Sequence, residues 1–396
     1  MNVFFLPAFT VSLQVTVLFC AGILNCLELA TWGLYGGGIF LALYYLYRDY
    51  KNVIHTYWNG GFIFLAVSFL VIVAACKGRV FICYDNFSHW ALVVKSMLLT
   101  DRFPCFQDTI IIFQEYPLGS TSYIYYFAKL VSNSESAQMI AQGFMMLSFL
   151  LPVFKCVKRN MAVSWIYVLV FMNFIFCYCM LITDLLVDTL LPLQGMALLF
   201  FIYSECLNSF NKNTGRGVCA LYAIPFLCTA AQIKNSGIFF VILACILFGI
   251  SIMSKKICPA CDKFIVRQRI IAMVSPFVSI YLWHKHCGYV FSAGAMTKHA
   301  MTFENYKEIF SQKAKDDISL ILYDTFKFSV MGKELYFILL FVGIIGVVAY
   351  LLGDSWKKNL RKVSFGVCRN ICCIYDGDGR DVFVFYAWSR GDEPCK

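Results

Sequence analysis

The stretch Tyr84-Asp85-Asn86-Phe87-Ser88-His89-Trp90 places a carboxylate, an imidazole and an indole close together, and Lys95 follows it. An Asp in such a place can take a proton from a hydroxyl as general base, if burial and neighbours tune it. It also suits an N-cap or Asx-turn at the start of a surface helix, and spacing leaves both readings open. Downstream, Glu115-Tyr116-Pro117-Leu118-Gly119-Ser120 joins a carboxylate to a Pro–Gly turn that launches a helix. The aromatic row that continues it (Tyr123, Tyr125, Tyr126, Phe127) fits a surface lining a sugar or lipid, and equally an interfacial aromatic belt. Trp283-His284-Lys285-His286 and Lys298-His299 gather imidazoles and ammonium groups. Two His at i, i+2 bind a metal only on extended backbone with further ligands; no third ligand is evident, so no metal site is read here. Cys258 and Cys261 with Cys368, Cys372 and Cys373 make a four-thiolate zinc site only if the tail folds back. Cys83 and Cys105 pair only in an oxidising compartment.

The composition says what kind of scaffold must hold these residues. Of 396 residues, 60% are hydrophobic and only 14% charged, with a mean hydropathy of +0.71. A soluble chain carries about 25% charged residues. A soluble globular enzyme, a disordered protein and a nucleic-acid-binding domain are therefore excluded, and the bilayer is the expected solvent. Most of the 19 cysteines lie in apolar runs, where they act as small hydrophobes rather than a disulfide framework.

Apolar segments near 4–26, 30–47, 61–77, 138–154, 161–182, 185–206, 217–233, 236–254, 266–285 and 334–352 predict an all-α integral membrane protein with about ten transmembrane helices. The first reads as a retained helix rather than a signal peptide. The 185–206 segment has Asp184 and Asp188 against it, at its start. Lys plus Arg total 33 against 23 Asp plus Glu, an excess of +10 that sorts by side. With the N-terminus in the cytoplasm, the clusters at 48–51, 155–159, 212–216, 255–269 and 357–362 all fall inside, as the positive-inside rule requires. The polytopic domain is then 1–354, with external loops 78–137 and 286–333, and 355–396 is a cytoplasmic tail. Loops this long usually carry function. In the first of them Trp90, Val93, Val94, Met97 and Leu98 share one helical face, so a juxtamembrane helix is expected along the membrane surface. In the second, Phe303, Tyr306, Ile309 and Phe310 form the stripe of an amphipathic helix over 302–327 that could cover a site.

The run from Tyr84 to Trp90, then Lys95, then Tyr116-Pro117-Leu118-Gly119-Ser120, resembles the polytopic bacterial glycosyltransferases of the GT-C superfamily. Leu181-Ile182-Thr183-Asp184 through Leu193 and Ala231-Gln232-Ile233-Lys234-Asn235-Ser236-Gly237 are similar to further features of that family. The resemblance covers roughly 60–350 and implies a GT-C-like bundle with juxtamembrane helices in its first long loop. It implies an inner-membrane enzyme that moves a sugar, with inversion, from a polyprenyl phosphate carrier to an envelope glycan, lipid or protein on the external face. Asp85 would be the catalytic base. Lys234, Lys95 and Lys298 would hold the donor phosphate, and His89, Trp90, Glu115, Tyr116 and Asp188 would meet acceptor or sugar.

The family's acidic site is often a pair, whereas Asp85 is followed by Asn86, which speaks against a divalent metal. Lys234 also has a reading of its own. It is a cation between apolar spans where positive charge is scarce, and such a residue needs a partner. That partner is either a phosphate or a carboxylate, Asp188 or Asp184. No cofactor is implied beyond the donor lipid, and the basic loops on the cytoplasmic side could meet either anionic lipid or a synthase that makes the donor. The rival readings are a transporter or flippase of lipid-linked saccharides and a polymerase or ligase of envelope glycans. A transporter would place its essential charges near the bilayer midplane, whereas this chain gathers them at the outer boundary.

Overall fold

In the computed structural model the described residues are 1–156 apart from 109 and 112, then 184–207, 219–253, 263–291 and the single positions 307, 323, 324 and 327. Met1–His299 forms one compact unit; of a second, Ala300–Lys396, only those four single positions are described. Regular structure among the described residues is entirely helical. The helices are α1 Leu6–Ile23, α2 Leu27–Tyr57, α3 Gly60–Cys76, α4 Tyr84–Ser88, α5 Trp90–Thr100, α6 Gly119–Val131, α7 Glu135–Leu150, α8 Val187–Phe201, α9 Ile224–Ile233, α10 Ile238–Met253 and α11 Lys263–Val290.

Among the described residues six helical stretches are long and apolar enough to cross a membrane: Val3–Ile23, Leu27–Tyr57, Glu135–Lys155, Val187–Leu207, Asn235–Met253 and Lys263–Val290. This is the make-up of a multi-pass membrane protein. Two of the expected spans form apolar helices below that length, Gly60–Cys76 and Ala220–Ile233. The spans expected near 161–182 and 334–352, the amphipathic helix at 302–327 and the tail at 355–396 lie outside the described residues.

Local chemistry explains the elements that matter for the site. The acid-flanked segment becomes helix because Asp184 stays outside it and Asp188 falls in the first turn of α8, where free N–H groups favour a carboxylate. Helix α9 is buried along Pro225–Ile233 and packs on α1, α6, α8, α10 and α11; a helix apolar all round belongs in a core. At the start of α6, Gly119 allows a close approach to the end of α9, since a Cβ there would stand 2.7 Å from the Gln232 carbonyl oxygen. The Gln232 amide then donates to Ser279 of α11 at 2.8 Å, so α6, α9 and α11 meet at one corner.

Two elements differ from expectation. The apolar face of α5 does not lie on a membrane surface. Trp90, Val93, Val94, Met97 and Leu98 are buried in the protein, and α5 packs on α6. An amphipathic stripe marks a face that leaves water, whatever covers it. The span expected over 30–47 extends to Tyr57 as a 31-residue helix, interrupted at Asp49 with φ −154° and ψ 54°.

The bundle has two distinct polar ends. At one, Lys129 of α6 bonds Asp101 at 2.5 Å and lies 3.8 Å from Glu28 at the start of α2. Phe81 in the loop after α3 donates to Glu135, a few residues beyond the end of α6, and Leu185 before α8 donates to Asn86, so these loops belong to this end. At the other, Phe4 packs on Phe62 and Phe154, and Lys155 pairs with Glu205.

Candidate functional site

Helix α4 is short because His89 breaks from helical backbone immediately after it, with φ −147° and ψ −73°. The break sends α5 off in a new direction and leaves Asp85 in the first turn of α4. Asp85 is not used as a cap: no side-chain hydrogen bond is made at the start of α4, and among the described residues no donor reaches its carboxylate. Its next neighbour is held firmly. Asn86 is fully buried, and its Oδ1 accepts the Leu185 N–H at 3.0 Å. Gln142 of α7 grips the same turn from another side, its Nε2 donating to the carbonyls of Asp184 and Leu186, each at 3.1 Å. The turn 184–186 is thereby fixed against both α4 and α7.

That fixing gathers charges from distant parts of the chain. Asp188 Oδ1 accepts from Lys234 Nζ at 2.5 Å. Burial pushes the Asp85 carboxyl above its usual range, and Asp188 and Asp184 push it the same way, while Lys234 opposes them. Burial also raises Asp184. Three carboxylates thus share one region with the ammonium of Lys234, which has three donors and gives one to Asp188. The structure brings together Asp85, Asp188 and Lys234 from the expected set, and adds Asp184.

A second group forms beside it. The rings of Trp90 and Tyr116 stack with centroids 5.7 Å apart and planes at 2°. His89 meets both edge-on, at 4.5 Å and 5.3 Å, and Phe113 at 5.8 Å. The Tyr-Pro turn therefore folds back onto the break between α4 and α5. His89 is only 2% exposed, burial pushes its pKa down to about 3, and among the described residues neither ring nitrogen has a hydrogen-bond partner. It is a neutral imidazole whose hydrogen-bonding capacity is unspent.

The other expected residues go elsewhere. Lys95 bonds Glu135 Oε1 at 2.6 Å, and Glu135 Oε2 accepts the Phe81 N–H at 2.6 Å. This ties α5 and the loop after α3 to the start of α7, and Lys95 is not among the charges that act on Asp85. Glu115 turns to α11, its carbonyl accepting the Trp283 indole N–H at 2.9 Å. Burial raises its carboxyl, with His284 opposing. Lys298, His299 and the cysteines at 258, 261, 368, 372 and 373 lie outside the described residues. Cys83 and Cys105 are free thiols. Among the described residues no three His, Cys, Asp or Glu side chains gather as they would around a metal ion.

Sequence reasoning passed over Gln138 and Gln142, both fully buried on α7. Among the described residues neither amide atom of Gln138 has a hydrogen-bond partner, and Asn86 Nδ2 and Gln142 Oε1 are likewise unpaired. Leaving such atoms unmet costs about 1–3 kcal/mol each. The signal was present: two carboxamides one helical turn apart inside an apolar span are unusual enough to mark a polar interior. No protein-family model, curated protein or solved structure matches this chain.

Proposed function

We infer that this chain is a membrane glycosyltransferase of GT-C type, moving a sugar from a polyprenyl phosphate carrier to an acceptor hydroxyl. The observation that carries the reading is Asp85. It is a carboxylate with no hydrogen-bonded cation among the described residues, pushed up by burial and by two other carboxylates, beside an ammonium group already oriented by Asp188. A carboxylate of raised pKa is a better base for a hydroxyl at neutral pH than an ordinary one. Unsatisfied carboxylates in a structural role would be expected to find partners, as Glu205 and Glu135 do.

In the proposed reaction Asp85 takes the proton of the acceptor hydroxyl while its oxygen attacks the anomeric carbon. The bond from that carbon to the phosphate oxygen breaks, and the carrier phosphate leaves with the bonding pair. Lys234 stabilises the charge that grows on the phosphate, and stabilisation of developing charge usually contributes more to catalysis than any other effect. The partly exposed Tyr116 ring, backed by Trp90 and by the buried His89, offers an aromatic face suited to a sugar. Attack from the side opposite the phosphate gives inversion. The external face, the inner membrane and the envelope acceptor belong to this proposal.

The test uses the full chain reconstituted in lipid nanodiscs with a panel of polyprenyl-phosphate-linked sugars and membrane-derived acceptors. Release of carrier phosphate with transfer of one sugar, abolished in Asp85→Asn, is expected. Equal transfer by Asp85→Asn would overturn the mechanism. Movement of the lipid-linked sugar across a vesicle bilayer without transfer would favour the transporter reading.

A further inference from the structure

We propose that the segment after the break in α2, Arg48 to Trp58, is an interfacial element that binds the headgroup of an anionic phospholipid. This site is independent of the transfer reaction and lies at the opposite end of the bundle.

Length places this segment first. At 1.5 Å per residue, the stretch from Leu27 to the break at Asp49 already covers about 33 Å. The hydrocarbon core is about 30 Å thick, so this part spans it alone. The residues that follow have nowhere to go but the interface. The direction is fixed by the bundle: α2 starts beside Lys129, at the Asp85 end, and finishes where Tyr57 packs edge-on against Phe62, with centroids 4.8 Å apart. Phe62 stacks near Phe4 at the Lys155–Glu205 end.

The composition changes at the same point. Ile39, Phe40, Leu41 and Leu43, before the break, are exposed apolar side chains of the kind that face lipid tails. From Tyr44 onward tyrosines, Trp58 and the cations Arg48 and Lys51, side chains suited to a membrane–water boundary, join the exposed apolar Leu46 and Ile54. Tyr47 is 92% exposed and Trp58 77% exposed. Two cations are poised on aromatic faces, Arg48 on Tyr44 at 6.0 Å and Lys51 on Tyr50 at 5.9 Å. Asp49 is the opposing charge, and its carboxylate accepts from Asn52 Nδ2 at 2.6 Å. Among the described residues neither Arg48 nor Lys51 has a carboxylate within ion-pairing distance.

Tyr50, Lys51, Ile54, His55 and Trp58 line a surface recess on this segment. A phosphodiester fits Lys51 and the imidazole of His55, with Arg48 adding charge from three residues before Lys51, while the glycerol and upper acyl chain fit Ile54 and the indole. A basic residue near an anionic membrane surface adds about 1 kcal/mol of attraction. For Arg48 and Lys51 that corresponds to roughly a fivefold preference each over a zwitterionic lipid.

The test reads Trp58 directly. The full chain is reconstituted in equimolar phosphatidylglycerol and phosphatidylcholine vesicles, with brominated acyl chains on one lipid or the other. Trp58→Phe is the subtraction control for the remaining tryptophans. The Trp58 component should be quenched several-fold more by brominated phosphatidylglycerol. Arg48→Gln/Lys51→Gln should make the two lipids equal, and the charge-matched pair Lys77→Gln/Arg79→Gln should leave the preference intact. Equal quenching in the wild type would overturn headgroup recognition, and no quenching by either lipid would overturn the interfacial placement. Loss of the preference on adding inorganic phosphate would show a soluble-anion site in place of a lipid one.

Discussion

The two polar ends of the bundle use the same side chains to opposite purposes. At one end Glu205, only 6% exposed, accepts from Lys155 and from the Asn2 N–H at 2.9 Å. A buried charge there is matched by a cation and by backbone. At the other end Asp85 has no such donor among the described residues, and its nearest charged neighbours include two more carboxylates. Near it Asn86, Gln142 and His89 are buried with hydrogen-bonding atoms unpaired among the described residues. The first arrangement holds helices together. The second is costly to the fold and is the pattern expected where a site is kept ready for a ligand.

The sharpest way to break this contrast is to neutralise each end in turn. Asp85→Asn should lower transfer by about 10²–10⁴-fold, the usual contribution of a positioned base. Thermal unfolding in detergent should hold steady or rise slightly. By linkage, a carboxyl raised in the folded state weakens the fold above its folded pKa, and that penalty vanishes below the unfolded value. Asn removes the penalty. Lys155→Met should do the reverse, leaving buried Glu205 with only the Asn2 N–H and the Met1 ammonium at 3.7 Å, at a cost of up to about 3 kcal/mol, seen as a lower midpoint in the same unfolding measurement.

A finer probe concerns the charges around Asp85. Its raised pKa places the acid limb of transfer activity above the ordinary Asp range, and activity should fall as pH drops through that limb. Asp188→Asn removes a repelling carboxylate and releases Lys234, so the limb should move to lower pH. Lys234→Met removes the cation that opposes this rise and should move it to higher pH. A pH–rate profile of each variant reads this directly. The smallest effect belongs to Lys95→Met. The Lys95–Glu135 pair is partly exposed, so its loss should cost less than about 1 kcal/mol and should leave the acid limb in place.

Much of this was legible because a bilayer makes charge conspicuous. Asp188 and Lys234 stood out in an apolar chain, and their pairing is one of the two partners the sequence allowed for Lys234. The spans followed from hydropathy, and the helix after Asp184 formed because its acid sits where a helix start welcomes it. The α5 stripe was legible as a buried face, but no pattern distinguishes burial in lipid from burial under α6. Lys95 could be seen as a cation, yet its partner Glu135 is 40 residues away, and only the fold brings them together. The Asn86–Leu185–Gln142 clamp was hidden for a different reason. Carboxamides carry no charge, and two of the acceptors are backbone carbonyls that any sequence would provide. The break in α2 left only a weak trace, a polar run from Arg48 onward at the end of an apolar span.

The most direct test of Asp85 as the base compares envelope glycan composition, by mass spectrometry, in cells lacking this chain and in cells rescued at equal membrane expression by wild type or Asp85→Asn. One sugar should disappear without the chain and return only with wild type. Return of that sugar with Asp85→Asn would contradict the assignment of Asp85 as base, and an unchanged glycan in all strains would contradict the transferase reading itself.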